Sequence, residues 1–276
     1  MPLQSGQLDE IAPDVRRLVA NNPGFLTGPG TNTYILGRSR FVVIDPGPDD
    51  PVHLQHVLDL THGAIDAVLV THTHGDHSPG AMTLARASGA ELLGRAAPIA
   101  DRHDATFTPT RTINDDDRIQ VEARELRALH TPGHASNHIC YLLEGTLLFS
   151  GDHLIQGSTV VIAPPDGHMT SYLNSLQRLQ SESIKRIAPG HGGVIENAQA
   201  EIARIIAHRL QRESKVVHAL ESSGPSELEA LVRVVYDDVD PRLHALAKSS
   251  LLAHLIRLEE EGRAARSGDR WNLRSP

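Results

Sequence analysis

Four side chains that can bind metals stand within six residues, directly after the apolar segment 67–70. They are His72, His74, Asp76 and His77. Alternate side chains of an extended chain point the same way, which predicts that the first three share one side while the fourth turns toward the next helix. Neutral imidazoles bind Zn, Fe or Ni, and a nearby carboxylate adds an oxygen ligand. This spacing favours a metal site.

Three further candidate ligands follow glycine- or aspartate-rich turns later in the chain. His134 stands in Thr-Pro-Gly-His, Asp152 in Ser-Gly-Asp-His and His191 in Ala-Pro-Gly-His. Each turn comes after a strand-like run, and strands can fix the positions of such side chains. Most of the other histidines, out of 17 in the chain, are expected to be surface or core residues. The metal hypothesis therefore concerns these seven positions.

The seven residues, in this order, resemble the motifs of the metallo-beta-lactamase superfamily. The first motif is Thr71-His72-Thr73-His74-Gly75-Asp76-His77, and the other three positions follow it. The resemblance implies two groups of three ligands, one group for each metal ion. The first group is His72, His74 and His134. The second group is Asp76, His77 and His191. Asp152 would bridge two divalent ions, with Zn as the expected metal and Fe or Mn as alternatives.

Two closely spaced divalent ions can hold a bridging water and lower its pKa to near neutrality. The hydroxide then attacks an electrophilic carbon or phosphorus, and one ion stabilises the negative charge that develops on the substrate oxygen. Asp152 would fix the metal separation, and Asp76 would help to orient the hydroxide. These two carboxylates are the predicted catalytic residues of a metal-dependent hydrolase.

Three polar residues near the predicted ligands are candidate substrate contacts. Asn32 lies in a Gly-Thr-Asn-Thr turn, where an asparagine can either stabilise the turn or donate a hydrogen bond to substrate. Asn137 and His138 closely follow one of the predicted ligands. We expect all three side chains to approach the substrate.

Short apolar strands alternate with turns and helices over most of the chain. The pattern predicts strands at 33–36, 41–45, 67–70, 90–93, 125–130, 138–143, 146–149 and 184–188. It predicts helices at 51–61, 78–88, 169–180 and 197–220. The polar stretch 95–118 is expected to be a solvated turn. Two strand-rich halves, each followed by helices, match the α+β, four-layer αβ/βα sandwich that the resemblance implies.

Residues 222–225, Ser-Ser-Gly-Pro, interrupt the pattern and mark a break. Beyond it, the sequence predicts helices at 226–236, 240–248 and 249–261, then a hairpin at 264–273. Three helices and a hairpin are typical of a winged helix. We therefore expect a metallo-beta-lactamase-fold hydrolase domain at 1–221 and a small winged-helix-like domain at 225–276.

A hydrolase core with such a tail resembles the subfamily that includes the mitochondrial beta-lactamase-like endoribonuclease. Further resemblances are Gly30-Thr31-Asn32-Thr33-Tyr34 and, in the tail, Leu258-Glu259-Glu260-Glu261-Gly262. This subfamily resemblance implies cleavage of single-stranded RNA. Arginines of the predicted wing could contact its phosphates. They are Arg263, Arg266, Arg270 and Arg274.

The alternative hypothesis is a hydrolase of a small-molecule ester, thioester or lactone that uses the same metal site. A formal charge of −8 and 3% aromatic residues fit it better than they fit a surface for nucleic acid. The acidic run 259–261 at the end of the last predicted helix would repel DNA, so specific DNA binding is not expected. A lid or a homodimer contact is the expected role of the tail.

The composition also bears on where the protein works. No apolar run approaches the ~20 residues of a membrane span, and the first ten residues lack the basic and apolar pattern of an export signal. A single cysteine, Cys140, cannot form an internal disulfide, which fits a reducing compartment. We expect a cytoplasmic enzyme with no membrane partner.

Overall fold

The computed structural model describes residues 3–99 and 101–274, and its larger part consists of two packed sheets with helices outside them. The first sheet contains seven strands in chain order, antiparallel over the first four and parallel over the rest. Its strands and the helices between them are β1 (Leu8–Ala12), β2 (Val15–Val19), β3 (Asn32–Leu36), β4 (Phe41–Ile44), α1 (Pro51–Thr61), β5 (Ile65–Leu69), α2 (Pro79–Ser88), β6 (Glu91–Gly94) and β7 (Arg111–Thr112).

The second sheet has five strands, and only the pair formed by its last two strands along the chain is parallel. Its elements are β8 (Arg118–Val121), β9 (Arg124–His130), β10 (Ile139–Leu143), β11 (Leu147–Gly151), α3 (Met169–Gln180) and β12 (Arg186–Pro189). A long helix, α4 (Ala198–Ser223), follows.

Apolar side chains from both sheets meet in the space between them, because alternate residues of each strand point inward. The rings of Tyr34 and Phe149, one from each sheet, contact edge to face at 5.0 Å. The Tyr34 hydroxyl donates to the carbonyl oxygen of Pro189 at 2.7 Å, which ties β3 to the end of β12. Helices α1 and α2 cover the outer face of the first sheet, and α3 and α4 cover the second. The predicted four-layer arrangement is confirmed.

Two parts of the first sheet were not predicted. Strands β1 and β2 form an antiparallel pair in which Arg17 is buried beside Asp9, at 2.7 Å. A buried arginine breaks the apolar alternation that identifies strands in a sequence. The stretch 95–118, expected to be a solvated turn, contains β7, which pairs with β6. That expectation was wrong because a strand of two polar residues carries no periodicity.

The C-terminal unit is a winged helix whose helices differ from those predicted. Its elements are β13 (Ser226–Glu227), α5 (Leu228–Val235), α6 (His244–Glu260), β14 (Ala264–Ser267) and β15 (Arg270–Leu273). The two helices predicted at 240–248 and 249–261 are the single helix α6, preceded by a 3-10 turn. The third helix is the end of α4, where Val216 and Leu220 pack with Leu255 and Trp271. The hairpin is confirmed.

Helix α4 is shared between the two parts of the molecule. Ile202 and Ile205 in its first half pack under the second sheet, and Val216 in its second half belongs to the core of the winged helix. One continuous helix therefore fixes the winged helix against the sheets. In the described part of the chain, no helix has the length and apolar character needed to cross a membrane.

Candidate metal centre and its cavity

The seven predicted ligands come together at one edge of the two sheets. The loop between β5 and α2 carries four of them, and His134 lies between β9 and β10. Asp152 and His191 closely follow β11 and β12, which are parallel neighbours. Parallel strands bring their carboxyl ends to the same edge, so residues far apart in sequence meet there. The spacing of the motifs predicted this convergence.

Three histidine nitrogens converge on one side of the cluster. Nδ1 of His74 lies 2.9 Å from Nε2 of His72 and 3.0 Å from Nε2 of His134. Burial and the neighbouring His77 and His74 hold the pKa of His72 well below its usual range. Burial, His134 and His103 lower the pKa of His74 to about 3. These rings are therefore neutral at pH 7, which is the form that binds a metal.

The remaining residues form a second group in contact with the first through Asp152. Oδ2 of Asp76 lies 3.2 Å from Nε2 of His191 and 3.7 Å from Nε2 of His77. Oδ1 of Asp152 is 3.3 Å from His191 Nε2, and Oδ2 of Asp152 is 3.7 Å from Nε2 of His134. Each oxygen of this carboxylate thus faces a different group, as a bridging ligand requires.

Hydrogen bonds behind the cluster orient three of the rings. Nδ1 of His134 donates to the carbonyl oxygen of Val161 at 2.9 Å, and Nδ1 of His191 donates to that of Gly30 at 3.3 Å. Nδ1 of His77 lies 2.9 Å from Oδ2 of Asp45. Because the partners can only accept, each Nδ1 carries a proton and each Nε2 faces the cluster, where its lone pair becomes available to a metal once Nε2 is deprotonated.

Asp45 was missed as a site residue and was predicted only to end a strand. It follows β4, beside the end of β5, and its carboxylate accepts from both the backbone N–H and the hydroxyl of Thr71 at 2.7 Å. The Thr71 hydroxyl lies 3.1 Å from Nδ1 of His72. Asp45 therefore supports a histidine in each group. The signal available in the sequence was an aspartate at a strand end.

The charges of the second group favour a cation there. Burial opposes a positive charge on His191, but Asp152 and Asp76 outweigh it and raise the pKa of this imidazole to about 9. Burial also opposes ionisation of Asp76, yet His77 and His191 lower its pKa to about 2. Carboxylates that stabilise a proton on these rings would stabilise a divalent cation in the same place.

Two buried atoms of the cluster lack the partner that buried polar atoms normally have. In the described residues, Nε2 of His77 and Oδ1 of Asp152 form no hydrogen bond. Both face the space between the ligand groups. Three sets of three residues there have ligand atoms close enough together to hold a metal ion. A bound metal ion is a standard explanation for buried polar atoms that form no hydrogen bond. The residues present therefore fit the metals that the sequence predicted.

The three predicted substrate contacts lie behind the cluster, and their side chains form hydrogen bonds within the protein. The amide of Asn32 donates to the carbonyl oxygens of Pro189 and Gly192, both at 2.9 Å. The amide of Asn137 donates to the Thr73 hydroxyl at 2.8 Å. His138 is fully buried, with Nδ1 3.0 Å from the Thr131 hydroxyl. In the structure these three residues hold loops in place, and their contact with a substrate stays a prediction.

His103 is a second site residue that the sequence did not reveal. Its ring lies 4.7 Å from that of His74, its Nδ1 is 2.7 Å from the Thr73 hydroxyl, and its Nε2 is 3.1 Å from Oδ2 of Asp166. Asp166 also accepts from the backbone N–H of Ser136 at 3.0 Å. His103 belongs to the stretch expected to be a solvated turn, which gave no signal for it.

A cavity of about 750 Å³ opens onto the cluster. His74, Asp76, His134, Asp152 and His191 form its floor. Its walls extend to α4 and to the winged helix, and its rim carries two exposed apolar side chains. These are Phe25 and Leu26, with 72% and 57% of their surface exposed. The arrangement is that of a concave site with polar groups at one end and mainly apolar walls.

Known protein families match both parts of this molecule. A model of the metallo-beta-lactamase superfamily matches residues 26–191, a range that includes the whole cluster. The chain belongs to the metallo-beta-lactamase superfamily. A model of the beta-lactamase associated winged helix domain matches residues 228–271. The fold predicted from the sequence, including the winged helix, is therefore confirmed, and the chain is a hydrolase of this superfamily.

Individual relatives cover nearly the whole chain. The beta-lactamase-like protein 2 homolog of Drosophila melanogaster is 32% identical over 275 residues, covering 94% of this chain and 93% of the relative. The atrochrysone carboxyl ACP thioesterase of Aspergillus novofumigatus is 32% identical over 275 residues, covering 92% and 81%. A metallo-beta-lactamase family protein from Thermus thermophilus gives a TM-score of 0.80 at 22% identity, covering 96% of this chain and 100% of that one. The endoribonuclease subfamily is not confirmed.

Proposed function

We propose that this member of the metallo-beta-lactamase superfamily uses two divalent metal ions to hydrolyse a small-molecule thioester or ester. The cavity beside the cluster carries the proposal. Its volume of about 750 Å³ and its largely apolar walls suit an acyl group of moderate size. The relative from Aspergillus novofumigatus is named as a thioesterase and supports this class of substrate.

The proposal assigns a role to each residue of the cluster. His72, His74 and His134 would hold one ion, and Asp76, His77 and His191 would hold the other. Two ions bound there would acidify water to give a nucleophile at neutral pH and would polarise the substrate carbonyl. Asp152 would set the separation of the two groups, because its oxygens already face one group each.

Asp76 is the carboxylate best placed to act on the attacking water. Its side chain is 29% exposed and lies on the floor of the cavity, whereas Asp152 is 12% exposed. An oxygen of Asp76 that is not occupied by a metal can accept a hydrogen bond from the water and orient it toward the acyl carbon. His103 and Asp166 would keep the ring of His74 in place from the other side of the loop.

The RNA-cleaving hypothesis stays a prediction and has less support. Three of the four wing arginines, Arg263, Arg266 and Arg270, lie beside a carboxylate of the protein. Arg263 lies 2.9 Å from Glu261 and 3.2 Å from Glu213, and Arg270 lies 3.8 Å from Glu227. Their positive charge is thereby balanced, which weakens attraction to a nucleic acid backbone.

A substrate panel tests the proposal. Wild type, Asp152→Ala and the matched control Asp269→Ala, a variant of an exposed aspartate in the hairpin turn, would each receive a thioester, an ester, a lactone, a beta-lactam, a phosphodiester and single-stranded RNA. We expect thioester or ester turnover by wild type and control, and none by Asp152→Ala. RNA cleavage as the only activity that depends on Asp152 would overturn the proposal.

A further inference from the structure

Arg209 of α4 is a buried cation without a balancing carboxylate. It is 2% exposed, borders the cavity, and its Nη2 donates to the carbonyl oxygen of Val160 at 2.5 Å. Its Nε forms no hydrogen bond, and in residues 3–99 and 101–274 no acidic side chain is paired with it. By contrast, the neighbouring Arg204 and Arg212 are paired with Glu201 and Asp238. An unpaired buried guanidinium is costly and cannot lose its proton to reduce that cost.

Two neighbours of this arginine also have buried polar atoms without partners. The hydroxyl of Tyr236 and Nδ1 of His208 form no hydrogen bond within the described chain, and both residues border the same cavity. Burial, Arg209, Arg212 and Arg204 lower the pKa of His208 to about 4, so its ring is neutral at pH 7. Three unsatisfied polar groups, one of them the unpaired cation Arg209, thus border the same cavity.

Short connections link this group to the candidate metal centre. The carbonyl oxygen of Val160 accepts from Arg209, and that of the next residue, Val161, accepts from His134 at 2.9 Å. Two hydrogen bonds and one peptide unit place the guanidinium within roughly 10 Å of the His134 ring. The guanidinium also lies 5.3 Å from the centre of the Tyr172 ring, which restricts its orientation.

We infer that Arg209, Tyr236 and His208 form a binding subsite for an anionic group that the substrate carries away from the bond to be cleaved. The inference rests on the proposed thioester or ester hydrolysis. The anion is a carboxylate on the acyl part or a phosphate on the thiol part, since either offers several acceptor oxygens to a guanidinium. The stretch of cavity wall between the subsite and the cluster would hold the connecting hydrocarbon chain.

Matched thioester pairs test the subsite by turnover. One arm compares half-thioesters of dicarboxylic acids with neutral acyl thioesters of the same length, four to eight carbons, on N-acetylcysteamine. The other compares acetyl thioesters of a thiol that ends in a phosphate or in a hydroxyl. We expect wild type to prefer the charged member of one pair by roughly 10- to 100-fold in kcat/KM, as charge-assisted hydrogen bonds allow. The arm that shows the preference identifies the source of the anion.

Substitutions then assign the preference to the subsite. Arg209→Gln is expected to abolish it while leaving kcat/KM for the neutral member within about 3-fold, and Arg209→Lys is expected to restore part of it. Arg233→Gln, at an exposed arginine on α5, is the matched control and should behave as wild type. If Arg209→Gln lowered turnover of charged and neutral members equally, Arg209 would only anchor the Val160 segment and the inference would be overturned.

Binding without turnover separates this inference from the proposed function. Calorimetry would measure the Kd of thioether analogues, charged and neutral, for the metal-loaded wild type and Arg209→Gln. Tighter binding of the charged analogue that depends on Arg209, with no thioester or ester hydrolysis, would support the subsite and reject the proposed function. Hydrolysis with equal binding of both analogues would reject the subsite alone. If Arg209→Gln fails to fold, Tyr236→Phe should reduce the preference roughly 3- to 10-fold, and an unchanged preference would count against the subsite.

Discussion

Nδ1 of His77 lies 2.9 Å from Oδ2 of Asp45, and both residues are buried. Asp45 reaches this position because β4 and β5 are parallel neighbours, so the residue after β4 lies beside the loop that follows β5. A carboxylate behind a metal-binding histidine fixes its tautomer and increases its basicity. Asp45 is therefore expected to act on metal affinity without being a ligand.

Asp45→Asn should weaken metal binding while the protein stays folded. The asparagine amide can present N–H to His77 Nδ1, which favours the tautomer with the proton on Nε2 and removes a lone pair from the cluster. We expect a loss of affinity of roughly 10- to 100-fold, the effect of other such substitutions, measured by competition with a chelator. Asp66→Asn, at an exposed aspartate of β5, should show wild-type affinity. Equal affinity in both variants would contradict this role.

Gly190→Ala should disrupt the cluster because the added methyl group would clash with two of its side chains. A Cβ at this position would lie 2.7 Å from Cε1 of His77 and 2.8 Å from Oδ1 of Asp152, both closer than real Cβ atoms approach. Both side chains would have to move away from the new Cβ. We expect metal content measured by mass spectrometry to fall by at least one ion per chain. In the control, Gly75→Ala, the new Cβ meets no atom within 4 Å, and its metal content should be unchanged.

The winged helix should depend on Leu255 for its stability. This side chain is fully buried in α6 among residues of α4, α5 and the hairpin. Leu255→Ala removes buried methyl groups and leaves a cavity, which should lower the free energy of unfolding by about 2–5 kcal/mol. Urea denaturation followed by tryptophan fluorescence would report it, because Trp271 belongs to the same core. Val234→Ala, at a side chain 55% exposed, should cost less than about 0.5 kcal/mol.

The ion pair between Glu213 and Arg257 should make the free energy of unfolding depend on pH. Burial opposes the charge of Glu213, but hydrogen bonds from His254 and Arg257 lower its pKa from 4.5 to about 2. Because the folded pKa is the lower one, the ionised side chain stabilises the fold above about pH 4.5, and this contribution is lost as the pH falls toward 2. Glu213→Gln should cost about 3 kcal/mol at pH 7 and much less near pH 2. A cost that stays constant with pH would contradict the assignment.

The sequence was sufficient to predict that the seven cluster residues meet, because each has a metal-binding side chain in a turn that follows a strand. The periodicity predicted α1 and α3 with the bounds that the structure has. The periodicity did not indicate the residues that lie away from the cluster in sequence but contact its cavity. In the sequence, Arg209 is one of many polar residues of the amphipathic helix α4. Only the packing of that helix against the loop that contains Val160 places its guanidinium beside the cavity.

The differences between the predictions and the structure have physical causes of the same kind. Asn32, Asn137 and His138 were predicted to contact substrate because they stand near ligands in the sequence, but nearness along the chain does not give direction. All three turn into the protein and hold loops through hydrogen bonds. Two helices were predicted at 240–248 and 249–261, but α6 continues unbroken through residues 248 and 249, and Asp240-Pro241 begins only the 3-10 turn before it.

The central claim is that this cluster holds two metal ions, and the most direct measurement is the number of metal ions per chain. Elemental mass spectrometry on the purified protein, on Asp152→Ala and on the control Asp269→Ala would give it. We predict two ions per chain for wild type and control, and a loss of at least one ion from Asp152→Ala. Thioester turnover by a wild type that has been stripped of metal, or an unchanged metal content in Asp152→Ala, would contradict the account.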